Sequence, residues 1–430
     1  METGKSLHGA ARLAFDAVEN VTDIVEGMYR NIASVPLPLG EAPQGRAPGI
    51  AGLVHEVVRQ VNRGVRSATD LILTPASDYF DKFYPPGPHR AAAIAALNGV
   101  CGDHLLKTAN PLAIPMRMRV YLPRDRSQNS DVDGDQIEPK IAFASLFETS
   151  LRAVEVYPQP CAFAEADFSP SGRILILAHG LCMNDMEWTS QEHNHGRMLA
   201  DAHGYTPVYA HYNSGRHISE NGREFGEQIS GLVDAWPVPV ESVTIVGFSM
   251  GGLLTRSALC LAQQQQRPWL QKVDKVVYVG TPHHGSALER GGYWLQKSMT
   301  YSPYTAPLAA LGRIRSAGIT DLRHGNILDD DWQRHDEHED NADHRCSVPL
   351  AAGIEHYAIG ATLSKRDIKG MSRLLSDGLV HPDSSWGKHT KSEFNLQFLE
   401  ENCRIFYDLG HLAMLHDQRV AAQLNTWLQR

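Results

Sequence analysis

Beyond residue 172, short apolar segments alternate with helical patterns along the chain. Five such segments are residues 174–178, 208–211, 243–246, 276–279 and 357–361. Continuous apolar strands separated by helices are typical of a parallel sheet that is covered on both faces. Covering helices are predicted over residues 220–235 and 251–264, and near the end of the chain where Val420, Leu424, Trp427 and Leu428 share one face. The sequence therefore predicts an α/β fold with its functional groups at the carboxyl ends of the strands.

The region before residue 116 has a different pattern. Apolar side chains recur there at steps of three and four over residues 7–33, 50–65 and 91–106, as in amphipathic helices. From Met116 the pattern changes to the alternation of a strand with one covered face. We therefore predict a helical N-terminal region, residues 1–115, before an α/β domain, residues 116–430. The helices either pack on that domain or form a surface for peripheral association with lipid.

Composition excludes several classes of protein. Of the 430 residues, 42% are hydrophobic and 21% are charged, as in soluble globular proteins. The 40 Lys and Arg residues are outnumbered by 49 Asp and Glu and form no basic stripe, so we expect no nucleic-acid partner. The six cysteines form no C-x-x-C pair, which argues against a metal-thiolate site. With no signal-peptide pattern and no apolar run of membrane-spanning length, we expect a cytoplasmic protein with reduced thiols.

A G-x-S-x-G pattern follows the apolar segment 243–246 directly and leads into a predicted helix. It consists of Gly247, Phe248, Ser249, Met250 and Gly251. In this strand-turn-helix context the glycines permit a very tight turn, and the serine hydroxyl projects from it. The alternative is a serine that caps a helix after a glycine-rich turn. We predict that Ser249 is a nucleophile.

An oxyanion site is predicted beside this serine. Residues 174–178 end at His179-Gly180-Leu181, where the glycine lets the backbone turn and direct the N–H of Leu181 outwards. Together with the N–H of Met250, it would bind a developing oxyanion. We expect His179 to orient this loop rather than to act as a base.

Further motifs extend the pattern: Gly280-Thr281-Pro282-His283-His284-Gly285, Ser376-Asp377-Gly378-Leu379-Val380 with Ser384-Ser385, and Gly410-His411-Leu412. With them, residues 173–430 resemble the bacterial lipase and carboxylesterase branch of the α/β-hydrolase superfamily, including proteins akin to GPI inositol-deacylases. The resemblance implies an α/β-hydrolase fold, a mostly parallel central sheet with helices on both faces. It also implies that Ser249 is the nucleophile, Asp377 the acid and His411 the base, in the chain order of this superfamily.

For both the base and the acid, the sequence offers an alternative residue nearby. His416 follows His411 by five residues, and Asp383 follows Asp377 by six. We prefer His411 because it lies in a loop after a glycine, and Asp377 because it keeps the Asp-Gly-Leu-Val pattern. Ala413 stands where calcium-binding relatives carry an aspartate, so we expect no structural calcium, and the mechanism implies no cofactor.

A long insertion, about residues 286–350, separates the apolar segments 276–279 and 357–361. Its first half is rich in apolar and aromatic side chains, such as Tyr293, Trp294 and Leu308. Above the strand ends it would act either as a mobile lid over an acyl pocket or as a static cap. Its second half is rich in Asp, Glu and His, and we expect that stretch to be a solvated loop rather than a metal site.

The leading hypothesis is a serine hydrolase that cleaves carboxylic esters of small or lipid-like molecules through an acyl-Ser249 intermediate. Phe248 stands where lipases of this branch usually carry histidine, which leaves a general esterase open. Three alternatives remain: an acyltransferase with the same triad, a depolymerase of polyesters or lipid surfaces recruited by the N-terminal helices, and a non-catalytic binding protein. The sequence gives no indication of the oligomeric state.

Overall fold

The computed structural model describes residues 8–9, 11–16, 19, 56, 59–60, 62–63, 66–67, 88–123, 151–157, 169–190, 193–286, 316–333, 343–365 and 376–429. The strands in these ranges are β1 (Arg117–Pro123), β2 (Leu151–Tyr157), β3 (Arg173–Ala178), β4 (Thr189–Ser190), β5 (His193–Asn194), β6 (Thr206–His211), β7 (Ser242–Phe248), β8 (Val273–Val279), β9 (Glu355–Thr362) and β10 (Cys403–Tyr407). The α-helices are α1 (Pro88–Lys107), α2 (His195–His203), α3 (Ile218–Ala235), α4 (Met250–Gln264), α5 (Ala317–Asp321), α6 (Pro382–Ser385) and α7 (Gln418–Trp427). Short 3₁₀ helices span Asp185–Trp188, Pro268–Lys272, Asp329–Asp331, Ser392–Phe394, Glu400–Asn402 and Leu412–Leu415.

Eight of these strands form one sheet in the order β10-β9-β8-β7-β3-β6-β1-β2. The six strands from β10 to β6 are parallel, and β1 is antiparallel to both of its neighbours. Strands β4 and β5 form a separate two-stranded ribbon. The five apolar segments of the sequence lie in β3, β6, β7, β8 and β9. The predicted α/β-hydrolase fold with a mostly parallel sheet is therefore confirmed.

The central strands are apolar throughout because both faces of the sheet are covered. All six residues of β3 are buried, and they alternate between two cores. Ile174 and Ile176 pack on the face that α3 and α4 cover. Leu175 and Leu177 pack on the opposite face, with apolar residues of α2 and α7. This two-sided burial fixes the strand ends, where the candidate site lies.

In the described part of the N-terminal region, the chain is helical up to Lys107, and residues 108–115 form turns and irregular structure. Every described residue before 88 is helical, and α1 agrees with the helix predicted over 91–106. Helix α1 contacts the α/β domain, since Asn213 Nδ2 donates to the carbonyl of Gly102 at 2.9 Å and Ser316 Oγ to that of Gly99 at 2.5 Å. In the described part of the chain, no helix combines the length and the hydropathy that crossing a membrane requires.

Candidate active site

Ser249 lies on a sharp turn between β7 and α4. Its φ of 52° and ψ of −121° are unusual for a residue other than glycine, and its N–H donates to Val279 O at 2.8 Å. A Cβ at Gly247 would lie 2.6 Å from Gly252 Cα, and one at Gly251 would collide with the carbonyl oxygen of Ala178. The glycines of the pattern are therefore required by close backbone approach, and the strand-turn-helix context predicted for Ser249 is present.

Asp377 and His411 form a buried pair. His411 Nδ1 lies 2.7 Å from Asp377 Oδ2, and the other carboxylate oxygen accepts the N–H groups of Leu379 at 2.9 Å and Val380 at 2.7 Å. A carboxylate only accepts hydrogen bonds, so Nδ1 of the imidazole carries the proton and Nε2 has its lone pair free. Among the described residues, Nε2 of His411 is buried and has no hydrogen-bond partner. The pair thus presents an unoccupied basic nitrogen.

Two loops at the carboxyl edge of the sheet hold this pair in place. Asp377 lies in the loops between β9 and α6, and His411 follows β10; the N–H of His411 donates to the backbone oxygen of Asp377 at 3.0 Å. The imidazole packs against Gly280, which has a φ of 61° at the end of β8. A Cβ there would lie 3.0 Å from His411 Cε1 and 2.6 Å from Met414 Cε. The absence of a side chain at Gly280 therefore makes room for the imidazole.

Ser249 and His411 line one cavity of about 260 Å³. Most of its other lining residues are apolar: Leu181, Met183, Phe248, Pro282, Ile319, Leu322, Leu379, Val380 and Leu412. Ile319 and Leu322 belong to the insertion predicted over 286–350, so its described part contributes to the wall. The aromatic first half of the insertion, including Tyr293 and Trp294, lies outside the described residues.

His179 is buried beside this cavity and holds the loop that carries Leu181. Its Nδ1 lies 2.9 Å from Gly180 O, Tyr212 Oη donates to its backbone oxygen at 2.7 Å, and the rings of His179 and Tyr212 stack at 4.2 Å. Burial lowers the pKa of His179 to about 3, so the ring is neutral at ordinary pH. These contacts agree with the predicted role of His179 in orienting the loop.

The two N–H groups predicted to bind an oxyanion come from separate elements. Leu181 lies in the loop after β3 and lines the cavity, and Met250 is the first residue of α4. The first N–H groups of a helix have no acceptor within the helix. No hydrogen bond between described residues uses the N–H of Leu181 or of Met250 as its donor. Both remain candidate donors to a ligand.

The rival residues lie elsewhere. Asp383 is 48% exposed in its side chain and lies 3.7 Å from His381 rather than beside His411. His416 is half-buried, and burial lowers its pKa, but it does not line the cavity. His284 donates its backbone N–H to Ser384 Oγ at 3.0 Å, within the loops next to the site. Of the candidate acids and bases, the structure brings Asp377 and His411 together.

In the acidic stretch of the second half of the insertion, Asp331 differs from the solvated residues that we expected. Asp331 is buried, and its carboxylate accepts the N–H groups of Ile327, Leu328 and Cys346 at 2.7 to 2.9 Å. It therefore fixes two backbone segments to each other. Residues 334–342 lie outside the described ranges. Within those ranges, no group of three His, Cys, Asp or Glu side chains is arranged to hold a metal ion.

A buried charge cluster beside the loop after β3, which carries Leu181, was not predicted. Asp185 is almost fully buried just after that loop and contacts Tyr121 Oη at 2.7 Å, Arg119 Nη1 at 3.3 Å and His211 Nδ1 at 2.8 Å. Burial alone would raise the pKa of Asp185, but His211 and Arg119 together hold it well below its usual range. In the sequence, the feature that could have indicated this cluster is the presence of charged residues such as Arg119 in the alternating segment after Met116. The partner of Arg119 could not be chosen without knowing that β1 pairs with β6.

Comparison with known proteins identifies the central part of the chain. Residues 170–359 match the family model of the PGAP1-like alpha/beta domain. This range includes the Ser249 turn and ends before Asp377 and His411. No curated protein sequence matches the chain.

Solved structures that are similar to the chain include several lipases and esterases, all of them distant. The mature form of the lipase BlEst2 from Bacillus licheniformis is 14% identical, with a TM-score of 0.39 over 62% of this chain and 96% of that one. The phospholipase PlaB from Legionella pneumophila is 14% identical, with a TM-score of 0.38 over 60% of this chain and 59% of that one. An esterase from Pyrobaculum calidifontis is 13% identical, with a TM-score of 0.35 over 60% and 76%.

The family model and the observed fold both indicate an α/β domain. The mostly parallel sheet, the tight turn at Ser249 and the order of Ser249, Asp377 and His411 along the chain are those of α/β hydrolases. The chain has the fold of the α/β hydrolases, and its residues 170–359 match the PGAP1-like alpha/beta domain.

Proposed function

We propose that the chain is a serine hydrolase that cleaves carboxylic esters through an acyl-Ser249 intermediate. One observation carries the proposal. Ser249, on its strained turn, shares a largely apolar cavity with His411, whose Nδ1 is held by buried Asp377 while Nε2 has no partner among the described residues. A basic nitrogen that can take the proton of a serine hydroxyl in the same cavity is what activates a serine as a nucleophile.

In the first half of the reaction, Ser249 Oγ attacks the ester carbonyl and its proton passes to Nε2 of His411. The alcohol then leaves with that proton, and the acyl group stays on Ser249. In the second half, a water molecule gives a proton to His411 and attacks the acyl group. The carboxylic acid departs, and Ser249 regains the proton. Asp377 orients the imidazole and stabilises the imidazolium that forms in each half.

The negative oxygen of each tetrahedral intermediate would accept hydrogen bonds from the N–H groups of Leu181 and Met250. These donors are fixed before the reaction, so little reorganisation is needed when the charge develops. The N-terminus of α4, which begins at Met250, adds a favourable electrostatic field. The apolar walls of the cavity suit an acyl or alkyl group and exclude water around the reacting carbonyl.

Covalent labelling tests the nucleophile. A fluorophosphonate should react with the chain, and peptide mapping should locate the label on Ser249. The variant Ser249→Ala should fold normally, lose the label and lose on the order of 10⁶ in kcat on a nitrophenyl ester. Ser286→Ala is the matched control, because Ser286 also lines the cavity but its hydroxyl donates to Leu379 O at 2.9 Å. It should still be labelled; a label that stays in Ser249→Ala would contradict the proposal.

The acid is tested by Asp377→Asn. The amide oxygen can still accept from Leu379 and Val380, so its NH₂ group faces His411 Nδ1 and favours the wrong tautomer of the imidazole. We expect kcat to fall by about 10⁴ with little change in melting temperature. Asp383→Asn, at the rival acid, should leave kcat within about twofold. A larger loss in that variant would exchange the two assignments.

A further inference from the structure

A second cavity, of about 200 Å³, lies beside the C-terminal half of α4. Its other walls are Tyr278 on β8 and residues 348–351, just before β9. It shares no lining residue with the cavity of Ser249 and His411. It lies on the sheet face that α3 and α4 cover, whereas the candidate active site lies at the strand ends. The two cavities are therefore separate.

Arg256, on α4, places a positive charge in the wall of the second cavity. The residue is only 7% exposed, and its guanidinium donates to the backbone oxygen of Val348 at 2.7 Å. Its Nε is buried and has no hydrogen-bond partner among the described residues, none of whose carboxylates pairs with this guanidinium. Burial lowers the pKa of Arg256 to about 10, so the group is still charged at neutral pH.

The carboxylate of Asp331 raises the pKa of Arg256 through space but is not hydrogen-bonded to it. Asp331 uses its carboxylate to accept backbone N–H groups, as described above. A second guanidinium, that of Arg345, lies close enough to lower the pKa of Arg256 further. A buried cation without a hydrogen-bonded counter-charge is unfavourable, and an anion that reached it would form charge-assisted hydrogen bonds.

The rest of the wall defines what kind of anion fits. Five of the ten lining residues are apolar, and Cys260, Gln263 and Gln264 lie on the α4 side: the apolar ones are Leu259, Val348, Pro349, Leu350 and Ala351. A volume of about 200 Å³ is several times that of one water molecule but smaller than a typical drug-sized site. An inorganic anion would satisfy the guanidinium and leave the apolar walls unfilled. A small carboxylate with a short hydrocarbon chain satisfies both.

We propose that the second cavity binds a small monocarboxylate with a short hydrocarbon chain, whose carboxylate group pairs with Arg256 while the chain lies against the apolar walls. The fork of N–H groups on a guanidinium matches the two oxygens of a carboxylate. The proposal does not depend on the chemistry of Ser249, because the two cavities share no residue.

Titration calorimetry on the full chain tests it, with hexanoate as the probe and 1-hexanol and inorganic phosphate for comparison. We expect saturable binding of hexanoate, with 1-hexanol and phosphate at least about tenfold weaker. Arg256→Met, which keeps an apolar stem, should weaken hexanoate binding by at least about tenfold, and Arg256→Lys should restore part of the loss. Arg267→Met is the matched control, since Arg267 pairs with Glu227 at 2.5 Å and lies outside the second cavity. It should bind hexanoate as the parent chain does.

A second variant covers the case in which loss of Arg256 impairs folding. Ala351→Leu leaves the guanidinium intact and fills the cavity from its apolar side, so it should also weaken hexanoate binding. Equal binding of hexanoate to the parent chain and to Ala351→Leu would overturn the proposal. So would 1-hexanol binding as tightly as hexanoate, or phosphate binding more tightly. The first outcome would place the ligand elsewhere, and the other two would assign a different class of ligand.

Discussion

The residues around the His411 ring pack so closely on it that a change in their side chains would displace the ring. The clearest is Gly280, whose φ of 61° favours glycine and whose missing side chain leaves space for the His411 ring. Phe248 packs on another side of that ring, with its centroid 5.0 Å from that of the imidazole. The orientation of His411 is therefore set by packing on the ring as well as by the hydrogen bond to Asp377.

Gly280→Ala should displace the imidazole. The new Cβ would lie only 3.0 Å from His411 Cε1, so kcat should fall by about 10- to 100-fold, because small misplacements of catalytic groups are costly. Gly353→Ala is the matched control, since Gly353 also has a positive φ, 79°, but has nothing within 4 Å of an added Cβ. Both variants should lose about 1 kcal/mol of stability from backbone strain. Equal kcat values in the two variants, measured on a water-soluble ester, would contradict this account.

The site residues differ in how far the sequence alone predicted them. Ser249 followed from a local pattern, because the strand, the glycines and the helix are contiguous. Asp377 and His411 were named through a resemblance, because they are 34 residues apart and meet only where the ends of two strands come together. The sequence favoured them over Asp383 and His416 by their loop positions and flanking residues, but a local pattern does not show that two residues so far apart in the chain are in contact.

At the scale of elements, prediction succeeded where strands are buried on both faces. The apolar segments of β3, β7 and β8 were visible because each strand has covered neighbours on both sides. The edge strands β2 and β10 were missed. Each pairs with one neighbour only, and β10 has no fully buried residue, so its sequence lacks a continuous apolar run. Asp377 follows β9 in the chain, and β10 lies between Asp377 and His411.

The Asp185 cluster links β1, β6 and the 3₁₀ helix Asp185–Trp188, which follows the loop that carries Leu181. In Asp185→Asn, Arg119 would lose its more buried counter-charge and keep Glu155 at 3.9 Å, and we expect a loss of about 3 kcal/mol in the free energy of unfolding, measured with urea at pH 7. The kcat should fall more than KM rises, because the N–H of Leu181 would act chiefly on the transition state. Asp201→Asn, at an exposed pair with Arg197 at 3.9 Å, is the control and should cost less than about 1 kcal/mol.

The same cluster predicts a pH dependence with a definite sign. The pKa of Asp185 is held below its unfolded value, so its contribution to stability is present above about pH 4 and is lost as the pH falls further. The difference in unfolding free energy between the parent chain and Asp185→Asn should therefore be constant from pH 7 to pH 5. A difference that disappears within that range would assign the stabilisation to another group.

At the scale of the whole molecule, several histidines are buried in their neutral form. Burial lowers the pKa values of His179, His195 and His284 to about 3 each. In the unfolded chain these rings take up protons below about pH 6.5, whereas in the folded chain they do not. Stability is therefore complete above pH 6.5 and is lost as the pH falls towards 3.

Urea unfolding between pH 7.5 and pH 5 measures this effect, since ordinary carboxylates stay ionised across that range. Each such histidine should contribute a slope of up to about 1.4 kcal/mol per pH unit once the pH is below 6.5. The chain should therefore be markedly less stable at pH 5 than at pH 7. A free energy of unfolding that is flat over this range would mean that these rings are protonated in the folded state.

The N-terminal region extends the folded structure beyond the hydrolase sheet. Arg12 donates to the carbonyl groups of Thr108 and Ala109 at 3.0 Å, just after helix α1. Asn110 Nδ2 donates to Gly9 O at 3.0 Å, and His104 Nε2 lies 2.9 Å from a carboxylate oxygen of Asp16. Because α1 in turn contacts the α/β domain, these contacts favour packing over a lipid-binding surface as the role of the N-terminal helices.

Deletion of residues 1–45 separates the two roles. If this segment packs on the rest of the chain, its loss should cost several kcal/mol, at about 25 cal/mol for each Å² of apolar surface uncovered, and melting temperature and soluble yield should fall together. The kcat of the remaining folded protein on a water-soluble ester should not change, because none of the residues that line the active-site cavity is removed. Arg12→Met should reproduce a small part of the loss, since it removes the bonds to Thr108 and Ala109. An unchanged melting temperature with lost binding to phospholipid vesicles would instead assign the segment to attachment at a lipid surface.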